Sequence, residues 1–306
     1  MTVKQISIAV VGDVHDQWEA EDRFALEHLG FDLVLFVGDF GNEAVDVVRD
    51  LAMLDIPYAV ILGNHDAWFT ASPWGRKKSP YDHQVEDRVQ QQLDLLGDAH
   101  VGYGWRDFPE LGLSVVGSRP FSWGGWDWKN PQFYQQRYGI HNFQESTEQI
   151  VRSGENAASN TVLFLGHNGP FGLGDAPEDS CGRDWNPPGG DFGDPDFAKA
   201  IAQLRPQKTI PLVTFGHMHH RLRHTQTRLR TRLNTDAQGT VYLNAASVPR
   251  IVIRDGQRLR NFSRVTLEAG QVTEASLLWV GEEYQVVTQD TLYTPAEMAM
   301  EAKFSA

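Results

Sequence analysis

The chain has 306 residues, of which 41% are hydrophobic, and it carries a formal net charge of −13 at pH 7. This length fits one large α/β domain, and we expect residues 1–306 to form a single domain. The negative charge disfavours nucleic acids and membrane surfaces as partners, because both are polyanionic.

The only cysteine is Cys181, so no intramolecular disulfide can form, which is typical of a reducing compartment. The apolar run that ends at Val11 leads directly into Gly12-Asp13-Val14-His15, whose polar residues we expect to act in the mature chain; this disfavours a signal peptide. No apolar stretch is long enough to cross a bilayer. We therefore expect a cytoplasmic protein, with the plastid stroma as the alternative.

The first third of the chain alternates between apolar strands and helices. Strands are predicted at Ile6–Val11, Leu33–Val37 and Tyr58–Leu62, with helices around Phe24–Leu29 and Ala44–Leu54 between them. Because these strands are continuously apolar, we expect them to pair in parallel with both faces covered.

The rest of the chain continues with further strands and helices. Later strands are predicted at Leu113–Val116, Thr161–Leu165, Leu212–Phe215 and Val241–Leu243, and helices at Gln84–Leu96, Gln144–Val151 and Asp196–Leu204. Towards the C-terminus, Phe262–Leu267 and Ala275–Val280 alternate more strongly and flank a hairpin turn at Glu268–Gln271. This pattern predicts a second, partly antiparallel sheet there.

Long loops are predicted near residues 68–81, 119–142 and 172–196. Loops of this length are usually functional or disordered. The third loop is crowded with Gly, Pro and Asp but also carries Trp185 and Phe192, which favours an ordered loop over simple disorder.

Five predicted strands end in a glycine that polar or ionisable residues follow at once. The segments are Gly12-Asp13-Val14-His15, Gly38-Asp39-Phe40-Gly41-Asn42, Gly63-Asn64-His65-Asp66, Gly166-His167-Asn168 and Gly216-His217-Met218-His219. In α/β sheets, ligands collect at the carboxyl ends of strands, and a glycine there lets the chain turn sharply. A single such segment is more often a turn or a core histidine. Five in one chain favour a shared site.

The residue types in these segments are those that bind metals. Imidazole and carboxylate together suit zinc, manganese, iron and similar divalent ions. Asp13 and His15, like His217 and His219, are two residues apart, so both members of each pair can face the same way along an extended segment. The sequence therefore predicts a metal site at the strand ends.

The order of these motifs resembles that of the calcineurin-like metallophosphoesterase superfamily, from Gly12 to His219. Asn244-Ala-Ala-Ser247 is similar to the asparagine-containing segment that often follows. The resemblance implies a four-layer α/β/β/α sandwich of two mixed β-sheets with outer helices. It also implies a dinuclear centre of divalent ions, which could be Mn, Fe, Zn or Mg.

The resemblance further implies the ligands, with Asp39 bridging the two ions. One ion would be bound by Asp13, His15, Asp39 and His219, and the other by Asp39, Asn64, His167 and His217. Two divalent cations and two aspartates leave a net positive site suited to a phosphate dianion. The ions would activate a bridging hydroxide and clamp the attacking and leaving oxygens.

The catalytic side chains implied by the resemblance are His65 and Asp66. His65 would stabilise the phosphoryl group or protonate the leaving oxygen, and Asp66 would hold its ring; a helix cap is the alternative for Asp66. The Gly-Asp-x-Val-Asp-Arg-Gly pattern of serine/threonine protein phosphatases is absent after Gly38, which disfavours that activity. Asn42 is either a pocket residue or a helix N-cap.

Substrate selectivity must come from outside the metal motifs. Arg119, Arg183 and Trp185 are candidate substrate-binding residues, as an anion partner or a stacking surface. Trp123, Trp126 and Trp128 either line a pocket or pack within the fold. The basic segment, defined as Arg221, Arg223, Arg228, Arg230 and Arg232, is either a solvated face or a site for an anionic substrate or partner.

These observations favour a phosphomonoesterase that acts on a small phosphorylated organic molecule. A phosphodiesterase or a pyrophosphatase is the near alternative, since the same core serves all of them. A non-catalytic interaction scaffold of the same fold is disfavoured, because every ligand position and His65 are present.

Overall fold

The computed structural model describes residues 5–223 and 228–295, in which two mixed β-sheets carry helices on their outer faces. The strands are β1 (Gln5–Val11), β2 (Leu33–Phe36), β3 (Tyr58–Val60), β4 (Trp105–Phe108), β5 (Leu113–Gly117), β6 (Thr161–Leu165), β7 (Thr209–Phe215), β8 (Leu233–Thr235), β9 (Val241–Asn244), β10 (Ile251–Arg254), β11 (Gln257–Glu268), β12 (Gln271–Val280) and β13 (Val286–Tyr293). The helices are α1 (Ala20–Leu29), α2 (Val45–Leu51), α3 (Pro73–Arg76), α4 (Arg88–Leu96), α5 (Pro131–Tyr138), α6 (Phe143–Asn156) and α7 (Pro195–Leu204). Short 3-10 helices lie at His65–Ala67, Gly97–Ala99 and Pro109–Leu111.

The first sheet has the order β13-β12-β11-β1-β2-β3, with β10 paired to β11. Strands β1, β2 and β3 are parallel, as predicted, and Glu268 opposite Gln271 closes the predicted hairpin. The C-terminal strands do not form a second sheet, which corrects the sequence prediction. They extend the first one, because β11 pairs antiparallel with the open edge of β1, with Ile6 opposite Leu267.

The second sheet is built from the middle of the chain, in the order β4-β5-β6-β7-β9-β8. Strands β5, β6, β7 and β9 are parallel, while β4 and β8 pair antiparallel at the two edges. The sequence does not predict the edge strands β4, β8, β10 and β13, because all their residues except Phe108 are half-buried or exposed and they lack a continuous buried apolar run.

Alternate residues of each strand enter two different cores, which is why the central strands are apolar throughout. In β6, Val162 and Phe164 pack in the core that includes the helices, whereas Leu163 and Leu165 pack between the sheets. The same division holds along β1 and β2. The four-layer sandwich implied by the resemblance is thereby confirmed.

Helix boundaries follow capping chemistry. The side chain of Asp87 accepts a hydrogen bond from Gln90 N, so α4 begins at Arg88 rather than at residue 84 as predicted. On α7, Phe197, Ala200, Ile201 and Leu204 are buried at helical spacing. The predicted loops at 68–81 and 119–142 contain α3 and α5, respectively. Among the described residues, no helix is both long and apolar enough to cross a membrane.

Candidate active site

The five strand-end segments meet in one place, because β1, β2 and β3 of the first sheet and β6 and β7 of the second all end there. Three groups of side chains bring potential ligand atoms within 4.8 Å of one another: Asp13, His15 and His219; His15, Asp39 and His65; and Asp39, His167 and His217. Both sheets therefore contribute to a single cluster of carboxylates and imidazoles.

The first part of the cluster surrounds His219 Nε2. This atom lies 3.1 Å from Asp13 Oδ2 and 3.1 Å from His15 Nε2, and His15 Nε2 lies 3.9 Å from the same Asp13 oxygen. Two ligands at about 2.1 Å from one ion and at right angles to it are about 3 Å apart. The spacing of these donors therefore suits a shared cation.

The second part surrounds His167 Nε2, which lies 3.0 Å from Asn64 Oδ1 and 3.4 Å from Asp39 Oδ1. The other carboxylate oxygen of Asp39 lies 3.9 Å from His15 Nε2. Asp39 thus presents one oxygen to each part of the cluster, which is the placement that a bridging ligand requires.

The chemistry of the donors fits bound cations. His167 Nδ1 donates a hydrogen bond to Val37 O at 2.7 Å, so a neutral ring leaves Nε2 as an acceptor facing the acceptor Asn64 Oδ1. Two facing acceptors repel unless a proton or a metal ion lies between them. Asp13 and Asp39 are fully buried, and neither pairs with a lysine or an arginine among the described residues. Buried carboxylates of this kind need positive charge nearby.

The surrounding imidazoles already favour the charged carboxylates. Burial alone would raise the pKa of Asp13, but its hydrogen bond with His219 and the nearby histidines lower it overall. For Asp39, burial again raises the pKa, but the nearby histidines, with His167 first, together lower it overall. Both aspartates are therefore anionic at neutral pH.

The backbone at these strand ends is adapted to bring ligands together. His15, Asp39 and His217 themselves adopt positive φ angles of 45°, 54° and 65°, which are uncommon for non-glycine residues. A Cβ on Gly63 would lie 2.3 Å from Asp39 Oδ1, and one on Gly216 would lie 2.1 Å from Asp13 Oδ1. These two glycines are needed chiefly for the close approach of the aspartates.

His65 is held by Asn42 and Trp68. Its Nδ1 donates to Asn42 Oδ1 at 2.6 Å, and its ring stacks on Trp68 at 4.5 Å and 14°. Asn42 thus positions the ring of His65 and is not the N-cap of α2, which is Ala44. Trp68 lies three residues after His65 along a 3-10 turn, where such side chains eclipse each other. That spacing could have identified the stacking partner from sequence.

Asp66 does not hold the ring of His65, which corrects the sequence prediction. Its carboxylate accepts from the backbone N–H groups of Gly63, Asp39 and Phe40, at 2.6, 2.9 and 2.8 Å. Burial and the charge of Asp39 raise the pKa of Asp66 well above its usual range, against these donors. Asp66 therefore ties the β2 and β3 ends together and acts on the cluster through the backbone.

Asn244 and His220 brace the segment that carries His217 and His219. Asn244 Nδ2 donates to Met218 O at 2.7 Å, and His220 Nε2 donates to Asn244 O at 2.9 Å. Both side chains are buried, and burial lowers the pKa of His220 to about 4. A neutral His220 is thus part of the folded structure.

A cavity of about 390 Å³ opens above the cluster. Asp39, Asn64, His65, His217 and His219 lie among its lining residues. Each of the three predicted loops contributes one tryptophan to its wall: Trp68, Trp123 and Trp185. The volume is within the range of pockets that bind small organic ligands.

The three loops are fixed to one another and to the sheet ends. The buried carboxylate of Glu43 accepts from Phe69 N and Thr70 N, at 2.9 and 2.7 Å, which positions the first loop. Phe192 O in the third loop accepts from Gly125 N of the second loop and from Asn168 Nδ2, both at 2.8 Å. The tryptophans are therefore carried on ordered segments.

Arg119 does not face the cavity, which corrects its assignment as a substrate-binding residue. Its guanidinium is buried and pairs with Asp194 at 2.6 Å and Asp196 at 2.9 Å. Trp128 packs against the same guanidinium at 5.2 Å. Arg119 thus joins β5 to the start of α7 and has no free donor group directed at a substrate.

Arg183 is also directed away from the cavity, contrary to the sequence prediction. Its Nε donates to Gly189 O at 2.9 Å, and its guanidinium lies 5.0 Å from the centre of the Phe192 ring. These contacts close the tip of the third loop on itself. Trp185, two residues later, is the part of this loop that reaches the cavity.

Arg230 connects the third loop to the metal-ligand segment, a role that the sequence did not reveal. Its Nη1 donates to the carbonyls of Pro177, Asp179 and Gly182 at 3.0, 2.7 and 2.7 Å, and its Nε donates to His219 O at 3.0 Å. Asp184 pairs with the same guanidinium at 3.5 Å. No local pattern predicts such a contact, since the partners are about 50 residues away in sequence.

The family model for calcineurin-like phosphoesterases matches residues 6–221, well over half of the chain and all five strand-end segments. The chain belongs to the calcineurin-like phosphoesterase family. Membership of this family gives the general reaction, hydrolysis of a phosphoester. A comparison of the sequence with curated proteins found no relative.

Several solved structures align with this calcineurin-like phosphoesterase over most of its length. One superposes with a TM-score of 0.51 at 12% identity, covering 90% of this chain and 98% of that chain. A dimetal phosphatase from Danio rerio has a TM-score of 0.47 at 13% identity, covering 94% and 99%. A protein of Thermus thermophilus has a TM-score of 0.47 at 12% identity, covering 95% and 100%.

We expect Arg119→Met to destabilise the protein by about 3–5 kcal/mol, because two buried carboxylates lose their counter-charge. Urea unfolding measures the change. Arg49→Met is the matched control, since Arg49 pairs with Asp46 on the surface and should change stability by less than about 1 kcal/mol. An Arg119→Met protein that is as stable as the parent but has a higher KM would show that Arg119 binds substrate.

The metal-depleted protein should lose stability as the pH falls from 6.5 to about 4. The pKa of His220 is lower in the folded state than its ordinary 6.5, so the unfolded chain binds more protons within this window. His220→Gln keeps a donor for Asn244 O. It should reduce the slope of the unfolding free energy against pH by up to about 1.4 kcal/mol per pH unit. Urea unfolding at a series of pH values measures the slope; identical slopes would show that His220 is not held neutral.

Proposed function

We propose that this chain is a dinuclear metallophosphatase that hydrolyses a phosphomonoester of a small organic molecule. The observation that carries the proposal is the position of Asp39, which presents one carboxylate oxygen to each half of a donor cluster at the floor of a cavity. Asp13, His15 and His219 would hold one ion, and Asn64, His167 and His217 the other.

Two divalent cations at this floor would supply a nucleophilic water at neutral pH and would neutralise the phosphoryl oxygens. The chain's own residues fix the donors in place. Asp66 holds the backbone of Asp39, and the Val37 carbonyl leaves His167 Nε2 free to bind an ion. Asn244 holds the carbonyl of Met218 between His217 and His219. The donors therefore need little rearrangement on binding.

His65 is the residue we propose to move a proton at the phosphoryl group. Its Nδ1 is committed to Asn42, so Nε2 is the nitrogen left for the substrate. Burial lowers the pKa of His65, and the charge of Asp39 offsets only part of this shift. Nε2 takes up a proton from solvent, donates a hydrogen bond to a phosphoryl oxygen, and gives that proton to the leaving oxygen as its bond to phosphorus breaks.

The cavity walls support a small organic substrate. Trp68 and Trp123 stack at 5.3 Å along one side, and Trp185 lies in the same cavity, so three aromatic rings are available to an organic group above a polar floor. We further propose a single domain, because both sheets contribute donors to one cluster. A cytoplasmic location is part of the proposal, and it agrees with a lone buried cysteine.

The function is tested with phosphomonoesters, phosphodiesters and pyrophosphate, each assayed with Mn, Fe, Zn and Mg. We expect about two divalent ions per chain by elemental analysis, loss of activity on chelation, and recovery on adding one of these metals. Preferred hydrolysis of a diester or of pyrophosphate would replace the monoester assignment. A chain that binds no metal, or one that binds metal without hydrolysing any of these substrates, would contradict the proposal.

His65→Gln should lower kcat by about a hundredfold or more while both metals remain bound, because the proton-transfer group is lost. Asn42→Ala should lower kcat less, since the ring stays in place through Trp68 but loses its hydrogen bond. Steady-state kinetics and elemental analysis check both variants. Full activity of His65→Gln would exclude the role, and loss of one ion would make His65 a ligand.

A further inference from the structure

The arginines of the basic segment fall into two groups. Three have an acidic partner: Arg228 lies 3.9 Å from Glu178, Arg230 lies 3.5 Å from Asp184, and Arg232 lies 2.7 Å from Asp290. These three arginines therefore either stabilise the fold or form ordinary surface ion pairs.

Arg221 and Arg223 form the second group. Within residues 5–223 and 228–295, neither guanidinium makes an ion pair or a hydrogen bond, and both side chains are exposed. The chain has 40 acidic and 27 basic residues, so partners for surface cations are abundant. Two unpaired arginines on the wall of one cavity are therefore available to bind an anionic group.

Both residues line the cavity above the donor cluster. The backbone of Arg223 is fixed there, because its N–H donates to Asp184 Oδ2 at 2.7 Å and Asp184 is held by Arg230.

Metal donors, aromatic rings and free arginines occupy different parts of the cavity. The metal donors form the floor, Trp68 and Trp123 lie beside His65, and the two free arginines follow His219 along the chain. An arginine fork binds carboxylate or phosphate oxygens in a bidentate manner, and it does so most strongly where it has no competing acid.

We propose that Arg221 and Arg223 bind a second anionic group of the substrate, a carboxylate or a second phosphoryl group, while the phosphoester lies on the metal floor. The inference rests on the proposed function for the placement of the scissile group. It defines the substrate class as a small organic phosphate with at least one further anionic group, attached through a body that packs against the tryptophans.

The test uses binding, so it does not depend on turnover. Phenylphosphonate and its 3- and 4-carboxy derivatives are titrated into the metal-loaded protein by calorimetry. We expect a carboxy derivative to bind more tightly than phenylphosphonate, and the preference to fall by about tenfold or more in Arg221→Gln/Arg223→Gln. Phenylphosphonate itself should bind both proteins within about twofold. The preference of the parent should also shrink at high salt.

Arg228→Gln is the control, because it removes one positive charge from the same segment. Arg228 itself pairs with Glu178 and lies outside the cavity wall. The Arg228→Gln protein should bind the carboxy derivatives in preference to phenylphosphonate to the same degree as the parent. The corresponding aryl phosphates give the kinetic comparison, in which we expect the double variant to raise KM for the carboxy substrates and leave kcat nearly unchanged.

The outcomes separate the two proposals. A preference that disappears in the double variant supports the anion site even if no aryl phosphate is hydrolysed, in which case only the proposed function fails. Equal binding of all the phosphonates by the parent, or a preference that survives in the double variant, overturns the inference. Equal losses for phenylphosphonate and its carboxy derivatives in the double variant also overturn it, because they show a general effect on the cavity.

Discussion

The structure depends on one electrostatic constraint: Asp13 and Asp39 are buried carboxylates with no lysine or arginine partner among the described residues. An isolated carboxylate in such a place would be strongly unfavourable. Histidines from four strand ends surround the pair and lower the pKa of both carboxyls, but they compensate the buried charge only in part. Bound cations complete the charge balance, and the positions of the strands serve to assemble their ligands.

The two-sheet architecture meets this constraint directly. Parallel strands end at the same side of a sheet, so three motifs of the first sheet converge without long connections. The second sheet faces the first and brings His167, His217 and His219 to the same place. The positive φ angles at His15, Asp39 and His217 store backbone strain where the ligands turn towards each other.

Local sequence patterns predicted the central strands, and the candidate donors that directly follow these strands lie together in the structure, because a residue at the end of a buried strand is placed by that strand. They failed where a side chain selects a partner far along the chain. Arg119 pairs with carboxylates 75 and 77 residues away, and it therefore looked free in the sequence. Asp66 was assigned to His65, its neighbour, but three backbone donors satisfy it instead. The free and paired arginines of the basic segment could be told apart only in three dimensions.

The clamp made by Arg230 also limits how the third loop can change in length. One guanidinium binds carbonyls at Pro177, Asp179 and Gly182 and the carbonyl of His219, so a deletion between 177 and 182 would release a residue of the donor cluster. Residues 186–188 lie at the loop tip, beyond these contacts, where chains commonly accept insertions. We therefore expect homologues with a third loop of different length to differ near residues 186–188, beside Trp185, and to keep the length of the segment 177–182.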